Sequence, residues 1–530
     1  MSLHPIDGLV IAAYAVITLA IGLRFARRNK TTDRYFLGGR DFPGWAIGLS
    51  FIGSTISSIT FIAYPADSFK TAWLRILPPL AFPVVVLFAA YTFIPFFRRG
   101  TVHSAYHYLA LRFGPSVSLY AAVVYLVMQV VRASTVTYLL AVLLSTLTQW
   151  PVLACIALSA GVTAVYTIKG GFEAVVWTDV IQTIVLLLGA AACVIFIVQA
   201  LPGGLGQILG EAWAAQKLSL RDLHPVTGRL EAVRLGFSLS EKTALMLVLV
   251  GIANYLAGQL DQDSVQRWCS ARSAQEARKA MFVLGFGAIP IWAGFMFLGT
   301  CLWTYYQQFP SEVATAILAG TRKAEDILPH FIVTVLPHGL AGLVISAALA
   351  AAMASLSSCI NAASMVWVKD VYRPYLRGGR PDAHYLQMGR WGSLAIVLLM
   401  CGGAWLFYTA STKTILDFIL ILSGLLGGGV SAAFLFGIFT RLGDARAVLA
   451  GIVATTFFSA YALLVALGVL PRLIDGYYIS ILANLIMFST CCLAAGFFPR
   501  RGGSLVNLTI WDRQNNPVRD PEPVPMTPAA

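Results

Sequence analysis

The sequence predicts an all-α integral membrane protein, and three observations support this fold class. Hydrophobic residues make up 58% of the 530 residues and charged residues only 12%, whereas soluble domains carry about 25% charged residues. The mean hydropathy is +0.76. Apolar stretches of about 20 residues, the length that crosses a bilayer, recur along the chain. A soluble multidomain protein is excluded, because too few polar residues are present to cover a water-facing surface.

Thirteen apolar stretches are predicted to be transmembrane helices. An odd number places the two termini on opposite sides of the membrane. Two of the stretches are longer than one bilayer thickness and are expected to tilt or to extend into water. The thirteen stretches lie at 6–25, 44–66, 76–97, 116–148, 151–167, 174–200, 242–262, 279–307, 329–368, 387–409, 416–440, 445–468 and 474–498.

The positions of Lys and Arg predict the orientation. When the loops alternate between the two sides, most of the 37 Lys and Arg residues, Arg267 among them, fall on the side that follows the first helix. The positive-inside rule makes this side cytoplasmic, so the N-terminus is expected outside and the C-terminus inside the plasma (inner) membrane. The net charge of +13 is therefore attributed to cytoplasmic loops beside the lipid bilayer, and no nucleic-acid partner is expected.

The second predicted helix is rich in small and hydroxyl residues between Gly53 and Thr60. Such residues can serve close packing between helices. They can also mark a helix that is broken at mid-membrane, where unwound carbonyls face an ion. Their density favours the broken helix.

The helix at 242–262 is interrupted in a similar way by Gly251, Asn254 and Gly258. Because it follows five helices later, the pattern predicts an inverted repeat of five plus five helices. The predicted organisation is an N-terminal helix and cytoplasmic loop at 1–43, a first five-helix repeat at 44–200, an external loop at 201–241, a second five-helix repeat at 242–440, two additional helices at 441–499 and a disordered cytoplasmic tail at 500–530.

The helix predicted at 329–368 carries Ala351, Ser355 and Ser358 on one face, with Ser357 nearby. Residues three and four positions apart are neighbours on a helix surface. Hydroxyl and carbonyl oxygens are the hard ligands that a sodium ion requires. A single serine can instead hydrogen-bond to its own helix, but three serines within four residues favour an ion site.

Two charged residues within predicted helices are candidate functional groups. Asp179 follows Trp177 and Thr178 a few residues into the sixth stretch; it is either a functional intramembrane acid or a cap at the helix start. Arg132 lies in the middle of the fourth stretch. It either forms a structural ion pair or binds a substrate carboxylate, whose geometry its guanidinium matches.

Several motifs together resemble the sodium:solute symporter family. They are Y-F-L-G-G-R at 35–40, G-G-F-E-A-V-V-W-T-D-V-I-Q at 170–182, D-Q-D-S-V-Q-R at 261–267 and K-D-V-Y at 369–372. The similarity extends from about residue 6 to 498 in the same order. Within the family, the segments S-T-I-S-S-I-T-F, R-A-S-T-V-T-Y-L, Y-Y-Q-Q-F-P and I-L-P-H-F-I-V-T are similar to bacterial sodium-coupled sialic acid transporters.

The resemblance implies a LeuT-type fold, with one helix before the ten-helix core and two after it, and it implies two sodium sites. The site shared by the fold would use backbone oxygens of Gly53, Ile56 and Ala351 and the hydroxyl of Ser355. This chain has Ala354 where the family usually has a further hydroxyl. The second site would use Asp179, Ser355, Ser357 and Ser358. No cofactor is implied other than sodium as the coupling ion.

The resemblance also implies a substrate site that matches only in part. Thr55, Ser57, Thr60 and Arg132 correspond to residues that hold sialic acid in the relatives. Across the pocket, Pro79 replaces a glutamine and Arg75 replaces an aromatic residue. Arg75 is either a second contact for an anion or a charge of the external loop.

The predicted function is therefore sodium-coupled symport of a small carboxylate-bearing solute, sialic acid or a related sugar acid, by alternating access. The alternatives are another organic anion, a polyol or a sugar as substrate, or a channel. An enzyme is not expected, because His103, His107, His330 and His338 lie at or beyond helix ends without a metal or catalytic grouping. A monomer is expected, since a five-plus-five core is self-contained.

Overall fold

A computed structural model describes residues 4–98, 104–223, 230–238, 242–409, 429–466, 468–471, 473–500 and 505–511 of the chain. Within these residues the protein is built almost entirely of helices, as the sequence predicts. The helices are α1 (Pro5–Arg24), α2 (Thr32–Leu37), α3 (Gly44–Thr55), α4 (Ser58–Lys70), α5 (Leu77–Leu80), α6 (Phe82–Arg98), α7 (Ala105–Phe113), α8 (Pro115–Thr148), α9 (Val152–Ala200), α10 (Gly204–Ala214), α11 (Ala244–Gln259), α12 (Gln262–Ser270), α13 (Ala274–Gln308), α14 (Glu312–Leu318), α15 (Ile327–Thr334), α16 (Leu340–Val366), α17 (Asp382–Thr409), α18 (Val430–Phe439), α19 (Ala445–Ala466) and α20 (Ile479–Phe497).

Nine helical segments of the described part are long and apolar enough to cross a membrane, or eleven when each of two sharply bent pairs is taken as one span. One of the nine, α9, contains 49 residues, which is about 74 Å of helix and more than two bilayer cores. It is interrupted at Gly171, where φ is 57° and ψ is −157°. Its two halves correspond to the predicted helices at 151–167 and 174–200. The count of thirteen stays a prediction, because 410–428 lies outside the described residues.

The two bent pairs are the two helices that the sequence predicts to be interrupted. α3 and the following helix, from Thr60 to Lys70, meet at an angle of 60°, and α11 and α12 meet at 56°. In the first pair, Ile56 (φ −90°, ψ 88°) and Ser57 (φ −83°, ψ 173°) leave the helical conformation. Each break leaves backbone groups without helical partners, and within a bilayer only an ion, a ligand or another polar group could satisfy them.

Helix α16 forms the centre of the molecule. In an 18-residue apolar segment of this helix, 94% of the residues are buried inside the protein. It packs against α1, α3, α8, α9 and α17, and alanines and serines occupy most of its length between Ser346 and Ser364. Small side chains allow neighbouring helix backbones to approach closely when lipid supplies no hydrophobic drive for association.

Two features, one before α16 and one in the loop predicted to be external, differ from the sequence expectation. The stretch predicted as one helix at 329–368 is interrupted between α15 and α16, where Gly339 has a φ of 88°. The external loop contains α10 and a short antiparallel pair of strands, β1 (Arg221–Leu223) and β2 (Leu230–Ala232). Hydropathy detects the length of apolar segments. It therefore does not reveal a glycine with a positive φ or secondary structure within a polar loop.

The loop at 201–241, which the sequence predicts to be external, is held against the C-terminal end of α4 by Lys217. This side chain is 5% exposed, and its Nζ donates to the carbonyls of Phe69 (2.7 Å), Lys70 (3.3 Å) and Thr71 (2.8 Å). A cation at a helix C-terminus satisfies carbonyls that have no partner within the helix. Burial lowers the pKa of the Lys217 ammonium group to about 7.

The chain beyond α20 returns to the helices for a few residues. The Tyr108 hydroxyl donates to the Leu508 carbonyl (3.0 Å), and Trp511 Nε1 donates to the Phe439 carbonyl (2.6 Å). These contacts were not anticipated within the predicted tail at 500–530. Residues 501–504 and 512–530 of that tail lie outside the described residues.

Gly299 of α13 is a position where close packing against the first broken helix requires glycine. A Cβ atom there would overlap with the Pro65 carbonyl oxygen and the Ser68 hydroxyl, whereas a Cβ atom at Gly294 of the same helix would meet nothing within 4 Å. We expect Gly299→Ala to lower the free energy of unfolding by about 1–3 kcal/mol through overpacking. Thermal unfolding of the purified protein in detergent would measure this, with Gly294→Ala as the matched control. Equal melting temperatures for the two variants would contradict the packing described here.

Candidate ion and substrate sites

The first helix break is bounded by two backbone hydrogen bonds. Ile56 N–H donates to the Ile52 carbonyl (2.8 Å) at the end of α3, and Phe61 N–H donates to the Ser57 carbonyl (3.1 Å) at the start of α4. The last carbonyls of a helix have no partner within it. Gly53, Thr55 and Ile56 therefore place backbone oxygens at the break, where they are available to a ligand from outside the helix.

Ser355 of α16 lies against this break. Its hydroxyl is 3.3 Å from the Ser54 carbonyl and 3.4 Å from the Ala351 carbonyl. The structure thus brings Ser355 and Ala351 to the segment that contains Gly53 and Ile56. All four residues predicted for the shared sodium site meet in one region.

Glycine is required at position 53 because α3 and α9 are in contact there. A Cβ atom on Gly53 would lie 2.6 Å from the Thr183 hydroxyl and 3.2 Å from the Asp179 carbonyl. The same atom would lie 3.5 Å from Cβ of Ala354. Ala354, which stands where the family usually has a hydroxyl residue, therefore faces the break. A serine or threonine at this position would present its hydroxyl to this region.

Asp179 forms a buried ion pair with Arg267, a partner that the sequence analysis did not assign. Arg267 Nη2 is 3.2 Å from Asp179 Oδ2, and the two side chains are 1% and 0% exposed. Ser50 Oγ donates to the same carboxylate oxygen (2.6 Å), and Arg267 Nε donates to Ser50 Oγ (3.2 Å). Arg267 was counted among the cytoplasmic loop charges, and this assignment is wrong because α12 turns the guanidinium into the protein interior.

The interpretation of Asp179 as a cap at a helix start is also wrong. Asp179 lies within α9, beyond the interruption at Gly171, and it is fully buried. An intramembrane acid requires a cationic partner, an ion or protonation. The need of Asp179 for a partner could have led to Arg267 from the sequence. Arg267 is the last residue of the D-Q-D-S-V-Q-R motif, directly after the second interrupted helix.

Ser357 and Ser358 contact this ion pair from α16. The Ser357 hydroxyl is 3.4 Å from Asp179 Oδ1, and Arg267 Nη2 donates to Ser358 Oγ (2.6 Å). Three of the four residues predicted for the second sodium site, Asp179, Ser357 and Ser358, are therefore together. The fourth, Ser355, directs its hydroxyl to the helix break.

Arg132 is accessible on α8 and forms no hydrogen bond or ion pair within the described part of the chain. The charged groups that act on it are the carboxyls of Asp261 and Asp263, at the break between α11 and α12. A structural ion pair, one of the two alternatives for Arg132, is thus not formed within hydrogen-bond distance. Its guanidinium remains available to an anion.

The three hydroxyl residues predicted for the substrate site lie at the first break. Thr55 and Ser57 are half-buried, and Thr60 is 8% exposed. α4, which begins at this break, contacts α8, the helix of Arg132. The structure therefore places the predicted hydroxyls and the predicted carboxylate ligand on adjacent helices.

Arg75 lines a cavity of about 430 Å³ on the side of the external loop. It forms an ion pair with Asp67 and lies over the Tyr64 ring, 5.5 Å from its centroid. Pro79 lines the same cavity. Asp67 was not singled out from the sequence, and it neutralises much of the charge that Arg75 would offer to an anion. The other lining residues are Thr71, Leu74, Pro78, Asp222, Lys242, Leu247, Val250, Gly251, Asn254 and Tyr255.

Comparison with known proteins identifies the class to which this fold and these sites belong. The model of the sodium:solute symporter family matches residues 35–454. The chain belongs to the sodium:solute symporter family. It is a multi-pass membrane transporter that couples a small-molecule substrate to sodium, and it is not an enzyme.

Individual relatives agree with this assignment. The chain is 31% identical over 467 residues to the sodium/sialic acid symporter SiaT of Proteus mirabilis, which covers 86% of this chain and 89% of the relative. It is 29% identical over 458 residues to the sodium/sialic acid symporter NanT of Aliivibrio fischeri, covering 86% and 87%. A solved Na⁺-coupled sialic acid symporter, in a substrate-bound outward-open state, superimposes with a TM-score of 0.83 at 28% identity and covers 94% of this chain and 99% of its own. The LeuT-type fold expected from the sequence is confirmed.

The buried ion pair generates a test of its contribution to stability. Removing one partner of a buried pair leaves an uncompensated charge and costs roughly 3–5 kcal/mol. We expect Arg267→Gln and Asp179→Asn each to lower the free energy of unfolding strongly, and the double variant to lose less than the sum. Thermal unfolding in detergent would provide the double-mutant cycle.

The control is the exposed pair between Arg446 and Asp444, whose side chains are 45% and 25% exposed. Arg446→Gln is expected to cost at most about 1 kcal/mol, because surface pairs contribute little. Additive effects of the two substitutions at Asp179 and Arg267 would contradict a direct interaction between them.

Proposed function

We propose that this chain is a monomeric inner-membrane symporter that imports sialic acid or a related sugar acid together with two sodium ions. The observation that supports it most directly is the accessible guanidinium of Arg132, which lies on a helix adjacent to the hydroxyls of the first break. Among the described residues it has no hydrogen-bond partner. The relatives named for sialic acid transport cover most of this chain. Another organic anion, a polyol or a sugar is the alternative substrate.

Arg132 is assigned to the substrate carboxylate. A guanidinium offers paired N–H donors that match a carboxylate in a bidentate arrangement. Thr55, Ser57 and Thr60 supply hydroxyls that can donate to and accept from the hydroxyl groups of a sugar acid. Asp261 and Asp263, which act electrostatically on Arg132, can accept from hydroxyl or amide donors on the same substrate.

Arg75 is assigned a secondary role at the cavity that opens toward the external loop. Its ion pair with Asp67 leaves a nearly neutral group there, so it attracts an anion less strongly than Arg132. Pro79 has no polar side chain to offer. The substrate of this chain is therefore held chiefly from α4 and α8.

The first sodium ion is assigned to the break in the first repeat, with the carbonyl oxygens of Gly53, Ile56 and Ala351 and the Ser355 hydroxyl as ligands. Oxygen ligands of this kind suit a hard cation. Ala354 supplies no hydroxyl, so this site has one ligand fewer than the family pattern. A weaker affinity for this sodium ion follows.

The second sodium ion is assigned to Oδ1 of Asp179. The other oxygen, Oδ2, is occupied by Arg267 and Ser50, whereas Oδ1 has only the Ser357 hydroxyl at 3.4 Å. A carboxylate has about four lone-pair positions, so it can hold the guanidinium on one oxygen and a sodium ion on the other. The hydroxyls of Ser357 and Ser358 complete this site, and Ser355 links it to the first.

The direction of transport follows from the proposed orientation, with the N-terminus outside and the C-terminus in the cytoplasm. Sodium enters from outside, occupies the broken helix and stabilises the state that accepts substrate. The two repeats then rock about the site, and the ions leave toward the cytoplasm, where sodium is dilute. The lipid bilayer surrounds the apolar faces of the outer helices.

The carboxylate assignment predicts the effect of Arg132→Ala on uptake. Radiolabelled sialic acid is expected to enter proteoliposomes only with an inward sodium gradient. The variant is expected to raise KM about 30-fold or more, because bound substrate would bury the charge pair, and losing one partner of such a pair costs roughly 2–5 kcal/mol. Arg373→Ala, at an exposed position beyond α16, is the matched control. Sodium-driven uptake that is unchanged in Arg132→Ala would sink the carboxylate role.

The two-sodium assignment predicts voltage dependence. Two sodium ions and one carboxylate carry one net positive charge inward, which an inside-negative potential favours by about 2.3 kcal/mol per 100 mV. A potassium diffusion potential imposed with valinomycin is therefore expected to accelerate uptake. Ser357→Ala should weaken this dependence, while Ser364→Ala, a buried serine of α16 that bonds to Gly389 instead, should not. Uptake indifferent to voltage would indicate one sodium ion per anion.

A further inference from the structure

Three metal-ligating side chains from distant parts of the chain meet at the N-terminal ends of α1 and α16. His4 precedes α1, Asp7 lies in its first turn, and His338 lies two residues before α16. Their nearest ligand atoms all lie within 4.8 Å of one another. The sequence analysis found no metal grouping among the histidines, because it considered His338 without His4 and Asp7.

The carboxylate of Asp7 is oriented by the backbone of the opposite helix. Its Oδ1 accepts hydrogen bonds from the N–H groups of Gly339 (2.6 Å) and Gly342 (2.8 Å). A Cβ atom at Gly342 would lie 2.7 Å from Asp7 Cα, so glycine is needed for this approach. Hydrogen bonds of this kind commonly hold metal-binding carboxylates in place. Oδ1 serves the helix N-terminus, and Oδ2 is left to face the histidines.

The spacing of the remaining atoms suits a bridging ion better than a direct hydrogen bond. His338 Nδ1 is 3.4 Å from Asp7 Oδ2, which is long for an N–H···O bond of about 2.7–3.2 Å. Ligands on a tetrahedral zinc ion, bound at about 2.0–2.2 Å, lie roughly 3.3–3.5 Å apart. The separation of these two atoms falls in that range.

His4 adds the third ligand beside His338. The two imidazole rings are stacked, with centroids 3.8 Å apart and planes inclined by 13°. Stacking holds the two rings side by side, and a ring nitrogen of His4 lies within 4.8 Å of the ligand atoms of Asp7 and His338. His4 Nδ1 also accepts a hydrogen bond of 3.4 Å from the Ile6 N–H. The His338 side chain is 62% exposed, whereas that of Asp7 is 5% exposed, so an ion can arrive from water and still be held by a buried carboxylate.

We propose that His4, Asp7 and His338 bind one divalent transition-metal ion of the zinc type, with water in the fourth position. Two imidazoles, one carboxylate and a water form a donor set that zinc accepts in tetrahedral geometry. The ion would join α1 to α16, the helix that carries Ser355, Ser357 and Ser358. The site is separate from the sodium and substrate sites, and its existence does not depend on which solute is carried. Its location outside the cell rests on the proposed orientation.

Calorimetric titration of Zn²⁺ into the full-length protein tests the proposal. The protein is purified in detergent with its affinity tag removed and is treated with a chelator beforehand. One equivalent of Zn²⁺ is expected to bind, and Co²⁺ in its place is expected to show the visible absorption of a tetrahedral site. His338→Gln and His4→Gln should each weaken binding at least about 100-fold, since even partners that only orient metal ligands account for about 10–100-fold. Asp7 is left intact because it also caps α16.

The matched control is His330→Gln, which changes a histidine of α15 outside the cluster. Zn²⁺ should bind to His330→Gln as tightly as to the wild type. It should raise the melting temperatures of the wild type and of His330→Gln, but not that of His338→Gln. Melting curves in chelator establish that the variants are folded. No binding by wild type, or equal binding by wild type and the two cluster variants, would overturn the proposal. Neither result concerns uptake, so the proposed transport function is tested separately.

Discussion

The ion pair between Asp179 and Arg267 is the interaction on which the arrangement of the core depends. It lies where four helices meet, with Ser50 from α3, Asp179 from α9, Arg267 from α12 and Ser358 from α16. A charge in an apolar interior is tolerated only beside its partner. The two broken helices are therefore both tied to α16, the helix that carries the serines. A displacement of α9 or α12 would leave an unpaired charge, and a displacement of α3 or α16 would remove a hydroxyl that the pair contacts.

The charges at membrane depth have two different environments. Asp179 and Arg267 neutralise each other and are surrounded by hydroxyls, which suits the binding of a small cation at the remaining carboxylate oxygen. Arg132 has no partner within hydrogen-bond distance among the described residues, and the carboxyls of Asp261 and Asp263 act on it electrostatically. The proposed division between a sodium region and a substrate-carboxylate region rests on which arginine is paired.

The sequence predicted the helical class, most helix positions and both breaks, because each has a local signature. Apolar length marks a membrane helix, and clustered small and hydroxyl residues mark the break between Gly53 and Thr60. The interruption before α16 at Gly339 and the helix and strands of the external loop were not predicted. A positive φ at one glycine, and a polar loop that folds against its neighbours, leave no trace in hydropathy.

The residue types at the candidate sites were determined by the sequence alone, because charges and hydroxyls are expensive in lipid and stand out from their apolar surroundings. Their partners were decided only by the tertiary structure. Arg267 lies 88 residues from Asp179 and was assigned to a loop; His338 lies 331 residues from Asp7 and was assigned to no site. Such pairs form because helices distant in the chain pack side by side, and hydropathy specifies that a helix is buried without specifying which helix it contacts.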